Sequence, residues 1–298
     1  MHPHYAPIIK HYRFSWNPKT FKLLKANTND IIVKPKKTKR GFIELSFKQR
    51  MEENSRNRKT DLVLALDFPY QMPKDRTRLL NRAKTILEEV NPYLCAVKIN
   101  HHLTLPLGVF DGVQTLVNQA HKHGLQAVMD CKANDIGNTN KIIAEYYYST
   151  GFDALIANPF IGWEEGLQPI FNEAQKQQRG VILLTYMSHK GAVEGYGQTV
   201  IEADTGKPTT QYISFAKKAL QWNADGAVVG ATVPEKIRQI HKVLGETVPI
   251  YSPGIGAQGG IANAARKAGA VYLIVGREIT QSRNPAETAK RLAKPPRN

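Results

Sequence analysis

Residues 125–139 read LQAVMDCKANDIGNT, a short apolar run that ends abruptly in charged and polar residues. The run Leu125–Met129 has the length and apolar composition of a fully buried parallel strand. The carboxyl ends of such strands carry the chemistry of α/β proteins, and Asp130 stands where this strand should end. This stretch therefore predicts an α/β fold with a polar site after the strand.

The same pattern occurs eight times along the chain. Amphipathic stretches such as Arg76–Val90, Val113–His123 and Thr209–Trp222 separate the apolar runs. Eight strands alternating with helices predict a (β/α)8 TIM barrel. An open doubly wound sheet is the alternative, but no GxGxxG motif follows the first run. The predicted strands are Leu62–Leu66, Cys95–Ile99, Leu125–Met129, Ala154–Ala157, Val181–Thr185, Gly226–Val229, Val248–Tyr251 and Val271–Val275.

Charge divides the 298 residues into two parts. Residues 1–60 hold 15 Lys and Arg against 4 Asp and Glu, a net charge of +11 out of +16 for the whole chain. Residues 34–41 read as a solvated linker, and a helix is expected over 47–59. We therefore predict a basic N-terminal extension over 1–44 and a barrel domain over 45–298.

The composition also limits the class of protein. A hydrophobic content of 42% excludes a disordered chain, and two cysteines argue against a disulfide framework. No apolar stretch is long enough to span a membrane, and the N-terminus lacks the pattern of a signal peptide. A cytoplasmic enzyme is the expectation.

Ionisable residues cluster at the predicted strand ends. Asp67 follows the first run, Lys98 lies inside the second, and Asp130 and Lys132 follow the third, with Asp135 in the next loop. A lysine inside an apolar strand is costly unless it is paired. In an extended chain, residues two apart point to one side. These groups predict a network of fixed charges, although a loop salt bridge with a helix N-cap would give the same short motif.

Glycine-rich segments near the C-terminus predict a phosphate site. Residues 252–260, SPGIGAQGG, follow the seventh run, and Gly276-Arg277 follows the eighth. Glycines let backbone N–H groups approach an anion, and Arg binds phosphate oxygens through paired donors. Residues 185–191, TYMSHKG, begin a segment of about 20 further polar residues, which indicates a lid or binding loop. Within it Ser188 is a candidate for binding a polar ring, and His189 reads as solvated.

Together these motifs resemble the orotidine 5'-phosphate decarboxylase family, most closely its archaeal members. The resemblance runs from about residue 47 to the C-terminus. It rests on motifs in family order: Leu64-Ala65-Leu66-Asp67, Val97-Lys98, Asp130-x-Lys132-x-x-Asp135-Ile136-Gly137-Asn138-Thr139, Asn158-Pro159-Phe160-x-Gly162, Met187-Ser188-His189, Ser252-Pro253-Gly254-x-Gly256-Ala257-Gln258 and Val275-Gly276-Arg277.

The resemblance implies that the substrate is orotidine 5'-monophosphate (OMP), which is decarboxylated to UMP without metal or cofactor. Lys132 would protonate C6 of the pyrimidine, and Lys98, Asp130 and Asp135 would complete a charged tetrad. A homodimer with shared sites is implied, because the Asp135 and Thr139 positions reach into the neighbouring subunit. The implied substrate-binding residues are Asp67 and Thr139 for the ribose, Ser188 for the pyrimidine, and Gln258, Gly276 and Arg277 for the phosphate. Further implied substrate-binding residues, with no part of the substrate assigned, are Ile136, Pro253 and Gly256.

Two alternatives remain open. Mg²⁺-dependent sugar-phosphate decarboxylases and hexulose-phosphate synthases share the Asp-x-Lys-x-x-Asp core but follow it with Ala-Gly, where this chain has Ile136-Gly137. The basic extension suggests nucleic-acid binding, which is less favoured because few aromatic residues are interleaved with its charges. One departure from the family pattern is Asn100, where many members carry glycine.

Overall fold

The computed structural model describes residues 45–68, 75–202 and 205–295. The predicted basic extension over 1–44 lies outside these residues. Within the described ranges, eight parallel strands form a barrel: β1 (Leu62–Ala65), β2 (Ala96–Asn100), β3 (Gln126–Ala133), β4 (Ala154–Ala157), β5 (Gly180–Tyr186), β8 (Gly226–Val229), β9 (Ile250–Pro253) and β10 (Ala270–Val275). They close the barrel in the order β1-β10-β9-β8-β5-β4-β3-β2.

Helices follow the strands, as the alternating pattern predicts. The expected helices at Arg76–Val90 and near 47–59, 113–123 and 209–222 are all present, with ends shifted by at most two residues. The helices are α1 (Phe47–Arg58), α2 (Arg76–Val90), α3 (His101–Leu107), α4 (Gln114–Lys122), α5 (Gly137–Ser149), α6 (Gln168–Gln177), α7 (Ala192–Tyr196), α8 (Gln211–Gln221), α9 (Pro234–Leu244), α10 (Ala262–Ala268), α11 (Arg277–Thr280) and α12 (Pro285–Leu292).

The long segment after β5 is more ordered than the sequence predicts. It contains α7 and an antiparallel hairpin formed by β6 (Thr199–Ile201) and β7 (Pro208–Thr210). The polar composition concealed both elements, because the hairpin strands are only three residues long and largely exposed. Tyr196 anchors α7 by packing on Tyr186 at 5.7 Å between ring centroids.

Alternate strand residues divide the core into two layers. One layer lies between the strands and the outer helices. The other fills the barrel interior with residues such as Val63, Val128 and Ile156, and includes Phe47 and Met51 of α1. Because Phe47 and Met51 are fully buried there, α1 closes the amino-terminal mouth of the barrel. A Cβ on Gly180 would lie 2.3 Å from the Phe47 ring, so glycine is needed at that position for this contact.

The barrel interior sets the direction of the polar residues. Side chains two apart in a strand point to the same side. Asp67, Lys98 and Asp130 each lie two residues beyond an interior alanine or valine, and Ala65 pairs in register with Lys98. These side chains therefore continue the interior rows to the carboxyl end of the barrel. The opposite end is closed by α1, which leaves the carboxyl end for a site.

Two further findings concern the cysteines and the helix lengths of the described ranges. Cys95 and Cys131 are free thiols. Among the described helices, none combines the length and apolar character that a membrane span requires.

A half-buried aspartate near the start of β8 gives a pH-dependent prediction. Burial raises the pKa of Asp225 from its ordinary 3.8 to about 6, while its carboxylate accepts a hydrogen bond from Val181 N at 2.9 Å. A raised folded-state pKa means that stability is lost as pH rises from about 4 through 6. Asp225→Asn keeps an acceptor and stays neutral. We expect its melting temperature to exceed that of wild type at pH 8 and the gain to disappear near pH 4. A pH-independent difference would contradict this assignment.

Candidate active site

A carboxylate held between two lysines forms the centre of the site. Lys98 Nζ lies 2.6 Å from Asp130 Oδ2, and Lys132 Nζ lies 2.6 Å from Asp130 Oδ1. The Lys98 and Asp130 side chains are 6% and 10% exposed, whereas that of Lys132 is 37% exposed. Lys132 is therefore the member of this group that a ligand at the barrel mouth reaches first.

Asp130 and Lys98 are held in their charged states by their neighbours. Burial alone would raise the pKa of Asp130, but the two lysines lower it to about 2. Burial likewise opposes the charge on Lys98, and the Asp130 carboxylate outweighs that cost and raises the pKa of Lys98. Two ammonium groups and one carboxylate leave the cluster with a net positive charge. Such a preorganised cluster is suited to stabilising negative charge that develops in a reaction.

Lys132 reaches Asp130 by a backbone geometry that the sequence reasoning described wrongly. We expected both side chains to point to one side of an extended strand. Instead Lys132 has φ of 50°, in the left-handed region, and the β3–β4 register shifts between Met129 and Ala133. A non-glycine residue there costs about 1–2 kcal/mol, and such outliers concentrate at functional sites. The irregularity turns Lys132 to Asp130 at the strand end.

Asp67 lies at the same end of the barrel, between β2 and β10. Its Oδ1 accepts a hydrogen bond from Asn100 Nδ2 at 2.8 Å, and its main-chain oxygen accepts one from Thr280 Oγ1 at 2.7 Å. A Cβ on Gly276 would lie 2.9 Å from Asp67 Oδ2, so the carboxylate packs directly against the end of β10. Asp67 thereby connects the lysine cluster to the predicted phosphate segment.

The loop after β9 meets the segment after β5. Ser188 Oγ donates a hydrogen bond to Gln258 Oε1 at 2.7 Å, and Gly254 lies close to both side chains. The loop begins at Pro253, whose carbonyl accepts from Ala231 N at 2.7 Å. The predicted pyrimidine-binding and phosphate-binding residues are thus neighbours across this contact.

The glycines of this loop act differently from the expectation. The N–H groups of Gly256, Gly259 and Gly260 donate to carbonyl groups inside the loop, at 2.7 to 3.0 Å. Gly256 has φ of 69°, and a Cβ there would lie 2.5 Å from Glu278 Oε2. Glycine therefore serves here for the turn and for close packing on α11. These three N–H groups are therefore already engaged within the loop.

Arg277 begins α11 immediately after Gly276 and is exposed. It borders an open surface cavity of about 430 Å³. The neighbouring Glu278 lies 3.5 Å from Arg291 across the turn between α11 and α12. The other residues that line the cavity are Ala257, Glu278, Gln281, Ser282 and Thr288.

The comparisons with known proteins agree with this geometry. Residues 60–292 match the model of the family described as orotidine 5'-phosphate decarboxylase / HUMPS family. The orotidine 5'-phosphate decarboxylase of Methanosarcina mazei is 34% identical over 236 residues, covering 79% of this chain and 94% of that protein. The Pyrococcus abyssi enzyme of the same name is 35% identical over 231 residues, covering 78% and 96%.

A solved structure shows the same fold. Orotidine 5'-monophosphate decarboxylase from Methanocaldococcus jannaschii, complexed with inhibitor BMP, superposes with a TM-score of 0.64 at 30% identity. The superposed region covers 78% of this chain and 96% of the Methanocaldococcus jannaschii chain. The chain belongs to the orotidine 5'-phosphate decarboxylase / HUMPS family. The family and the barrel predicted from the sequence are both confirmed.

The remaining family-motif residues lie at the start of α5, away from the lysine cluster. Asp135 and Ile136 are exposed, and Asp135 Oδ1 accepts a hydrogen bond from Ile136 N at 2.7 Å. Thr139 lies one turn into the helix. Within the described part of this chain, Asp135 forms no ion pair with Lys98 or Lys132. The structure thus brings together three members of the expected tetrad and separates the fourth.

Asn140 positions this family motif and was missed by the sequence reasoning. It is fully buried, it donates to Asp135 O and to Gly166 O, the latter at 2.9 Å, and its Oδ1 accepts from Asp135 N at 3.3 Å. The helical spacing of Asn140, Ala144 and Tyr148, all buried on one face of α5, was the available signal.

We expect Asn140→Ala to lower the free energy of unfolding by about 2 kcal/mol, because it leaves the buried carbonyl of Gly166 and the partly buried backbone groups of Asp135 without partners. Urea denaturation measures the change. Asn138→Ala, two residues earlier and exposed, is the matched control and should stay within about 0.5 kcal/mol of wild type. Equal stability of the two variants would show that the Asn140 contacts do not hold the motif.

Proposed function

We propose that this chain decarboxylates OMP to UMP and CO2 in de novo pyrimidine biosynthesis, without a metal ion or organic cofactor. The observation that carries the proposal is the Lys98–Asp130–Lys132 cluster, which lies at the barrel mouth near Asp67 and the Gly276-Arg277 segment. Family membership restricts the substrates to phosphorylated compounds of this kind. The names of the relatives at 34–35% identity favour OMP.

The chemistry requires one proton and one stabilised electron pair. When the bond between C6 and the carboxylate breaks, CO2 leaves and the electron pair stays on C6 of the pyrimidine. Lys132 Nζ stabilises this negative charge and then transfers a proton to C6, giving UMP. Asp130 orients Lys132, and the buried Lys98 balances the charge of Asp130 from the other side.

Binding groups far from C6 fix the substrate. Arg277 and Gln258 bind the phosphate, with Gly276 beside them, and Asp67 accepts a hydrogen bond from a ribose hydroxyl. Ser188 binds the pyrimidine edge after exchanging its bond to Gln258 for one to the substrate. Arg277 is exposed and contributes donors in a fixed fork that matches phosphate oxygens. Such remote contacts supply binding energy for orienting C6 against Lys132.

We also propose a homodimer in which Asp135, Ile136 and Thr139 complete the partner's site. Phe110 and Tyr146, the latter on α5, are both more than half exposed and pack edge to face at 5.6 Å between ring centroids. Exposed aromatic side chains are typical of a protein interface. Other large apolar side chains that are exposed are Leu105, Ile136 and Phe160, at 80, 64 and 69%.

Subunit complementation tests the shared site. Homodimers of Asp135→Asn and of Lys132→Ala are expected to be nearly inactive. A mixed dimer holds one site with an intact Lys132 and an intact Asp135, so equal mixing restores up to about a quarter of wild-type activity. Native mass spectrometry confirms chain exchange. If exchange is complete and no activity returns, Asp135 does not act across a subunit boundary.

A direct assay separates OMP decarboxylation from the Mg²⁺-dependent alternative. We expect purified protein to consume OMP, followed by its ultraviolet absorbance, at the same rate with and without a chelator. A keto sugar-acid phosphate with Mg²⁺ should not be decarboxylated. Turnover of the sugar phosphate alone, or loss of OMP turnover in the chelator, would contradict the proposal.

A further inference from the structure

We propose that Asn100 is a positioning residue that fixes the Asp67 carboxylate for a ribose hydroxyl. The inference rests on the proposed function, since it concerns how that site selects its nucleotide. Asn100 is the last residue of β2, two residues after Lys98, and it pairs in register with Asp130 of β3. Its side chain contacts Asp67 on the first strand.

Two hydrogen bonds determine which way the Asn100 amide faces. His102 N donates to Asn100 Oδ1 at 2.9 Å, which caps the start of α3. A backbone N–H can only donate, so the oxygen must face His102. The Nδ2 group then faces Asp67 Oδ1 at 2.8 Å. The helix cap therefore sets the orientation of the amide that holds the carboxylate.

Asp67 is restrained on its other side as well. Its Oδ2 faces Gly276, where a Cβ would lie only 2.9 Å away, and its main-chain oxygen accepts from Thr280 Oγ1. The carboxylate is thus held between the ends of β2 and β10. Asn100 occupies Oδ1 and leaves Oδ2 beside the predicted phosphate segment.

A carboxylate in this position selects for a hydroxyl group. Ionised carboxylates accept hydrogen bonds and do not donate them, so a polar ligand group that meets Oδ2 must be a donor. Holding the side chain before binding reduces the entropy lost when the ligand binds. Asn100 therefore acts through Asp67 on discrimination between a ribonucleotide and its deoxy analogues.

The test is Asn100→Asp, which separates the two contacts. Aspartate keeps the oxygen that caps α3 and replaces the amide donor with an oxygen that repels Asp67. We expect kcat/KM for OMP to fall about tenfold or more, because a hydrogen bond to a charged group is lost. The inhibition constant of UMP should rise by a similar factor, and that rise should be absent for 2'-deoxy-UMP or 3'-deoxy-UMP.

Asn284→Asp is the matched control. Asn284 caps α12 by accepting from Glu287 N at 3.2 Å, so the substitution makes the same chemical change at another helix cap. Its kcat/KM and its inhibition by UMP should match wild type. A cap role alone for Asn100 would leave Asn100→Asp equal to this control.

Two outcomes would overturn the proposal. The proposal is overturned if wild type is active and Asn100→Asp has the same kcat/KM. It is also overturned if Asn100→Asp loses affinity equally for UMP and for both deoxy analogues. A wild type that does not consume OMP overturns the proposed function instead. If Asn100→Asp fails to fold, a cycle of Asn100→Ala, Asp67→Ala and the double variant replaces it. Additive effects on UMP binding in that cycle would show that the two residues act independently.

Discussion

Lys132→Ala is expected to reduce kcat for OMP decarboxylation by at least about 10⁴-fold. The substitution removes both the proton donor and the positive charge nearest to the developing carbanion. General acid catalysis contributes about 10²–10⁴-fold and electrostatic stabilisation about 10²–10³-fold, so their joint loss exceeds either. Single-turnover kinetics with excess enzyme measures the residual rate.

The folded state and the binding of UMP should survive in Lys132→Ala. The Lys132 side chain is 37% exposed, and its removal leaves Asp130 paired with Lys98. Lys141→Ala is the matched control, since Lys141 is an exposed lysine that pairs only with Glu145 on α5 among the described residues. A Lys132→Ala variant that retains more than about one hundredth of wild-type kcat would contradict the assignment of the proton donor.

Asp130→Asn is expected to damage stability and activity together. It leaves the buried Lys98 ammonium group without a charged partner. Each lysine then faces an uncharged amide atom, either the N–H₂ group or the oxygen, instead of a carboxylate oxygen. Breaking a buried pair by removing one partner costs about 3–5 kcal/mol. Urea denaturation at pH 7 measures the loss, and turnover of OMP should fall to near background because Lys132 loses its orientation.

The pH dependence of unfolding distinguishes this effect from a general packing defect. In wild type the pKa of Asp130 is low, about 2, so its ionised form stabilises the folded state at pH values above the ordinary aspartate pKa. This stabilisation is lost as the pH falls toward 2. The stability difference between wild type and Asp130→Asn should therefore shrink between about pH 4 and pH 2. Asp111→Asn is the control, because its 81% exposed carboxylate pairs with Arg76 at 3.5 Å and contributes little. A difference that persists at pH 2 would contradict the account.

The barrel was predictable from the sequence because parallel strands leave a strong local pattern. Each buried strand needs an apolar run of four to eight residues, and Ala154–Ala157 and Gly226–Val229 were located to the residue. The end of β9 was placed two residues early, since Ser252 and Pro253 do not continue the apolar run although both pair with β10. Lys98 and Asp130 were placed at the carboxyl ends of their strands because they lie within or directly after apolar runs.

The rest depended on contacts between segments far apart in the chain. The pairing of Asp67 with Asn100 joins residues 33 apart, and that of Ser188 with Gln258 joins residues 70 apart. The left-handed backbone of Lys132 has no local signature, because lysine does not favour that conformation. The glycine-rich loop was predicted to offer its N–H groups to a phosphate, and their use for bonds inside the loop could be seen only in the folded chain.

A crystal structure of the chain with bound UMP tests the central claim most directly. We predict that the phosphate contacts Arg277 and Gln258, that a ribose hydroxyl lies within 3.2 Å or so of Asp67, and that C6 of the uracil ring faces Lys132 Nζ. Nucleotide bound at another place in the barrel, or at the same mouth with C6 turned away from Lys132, would contradict it.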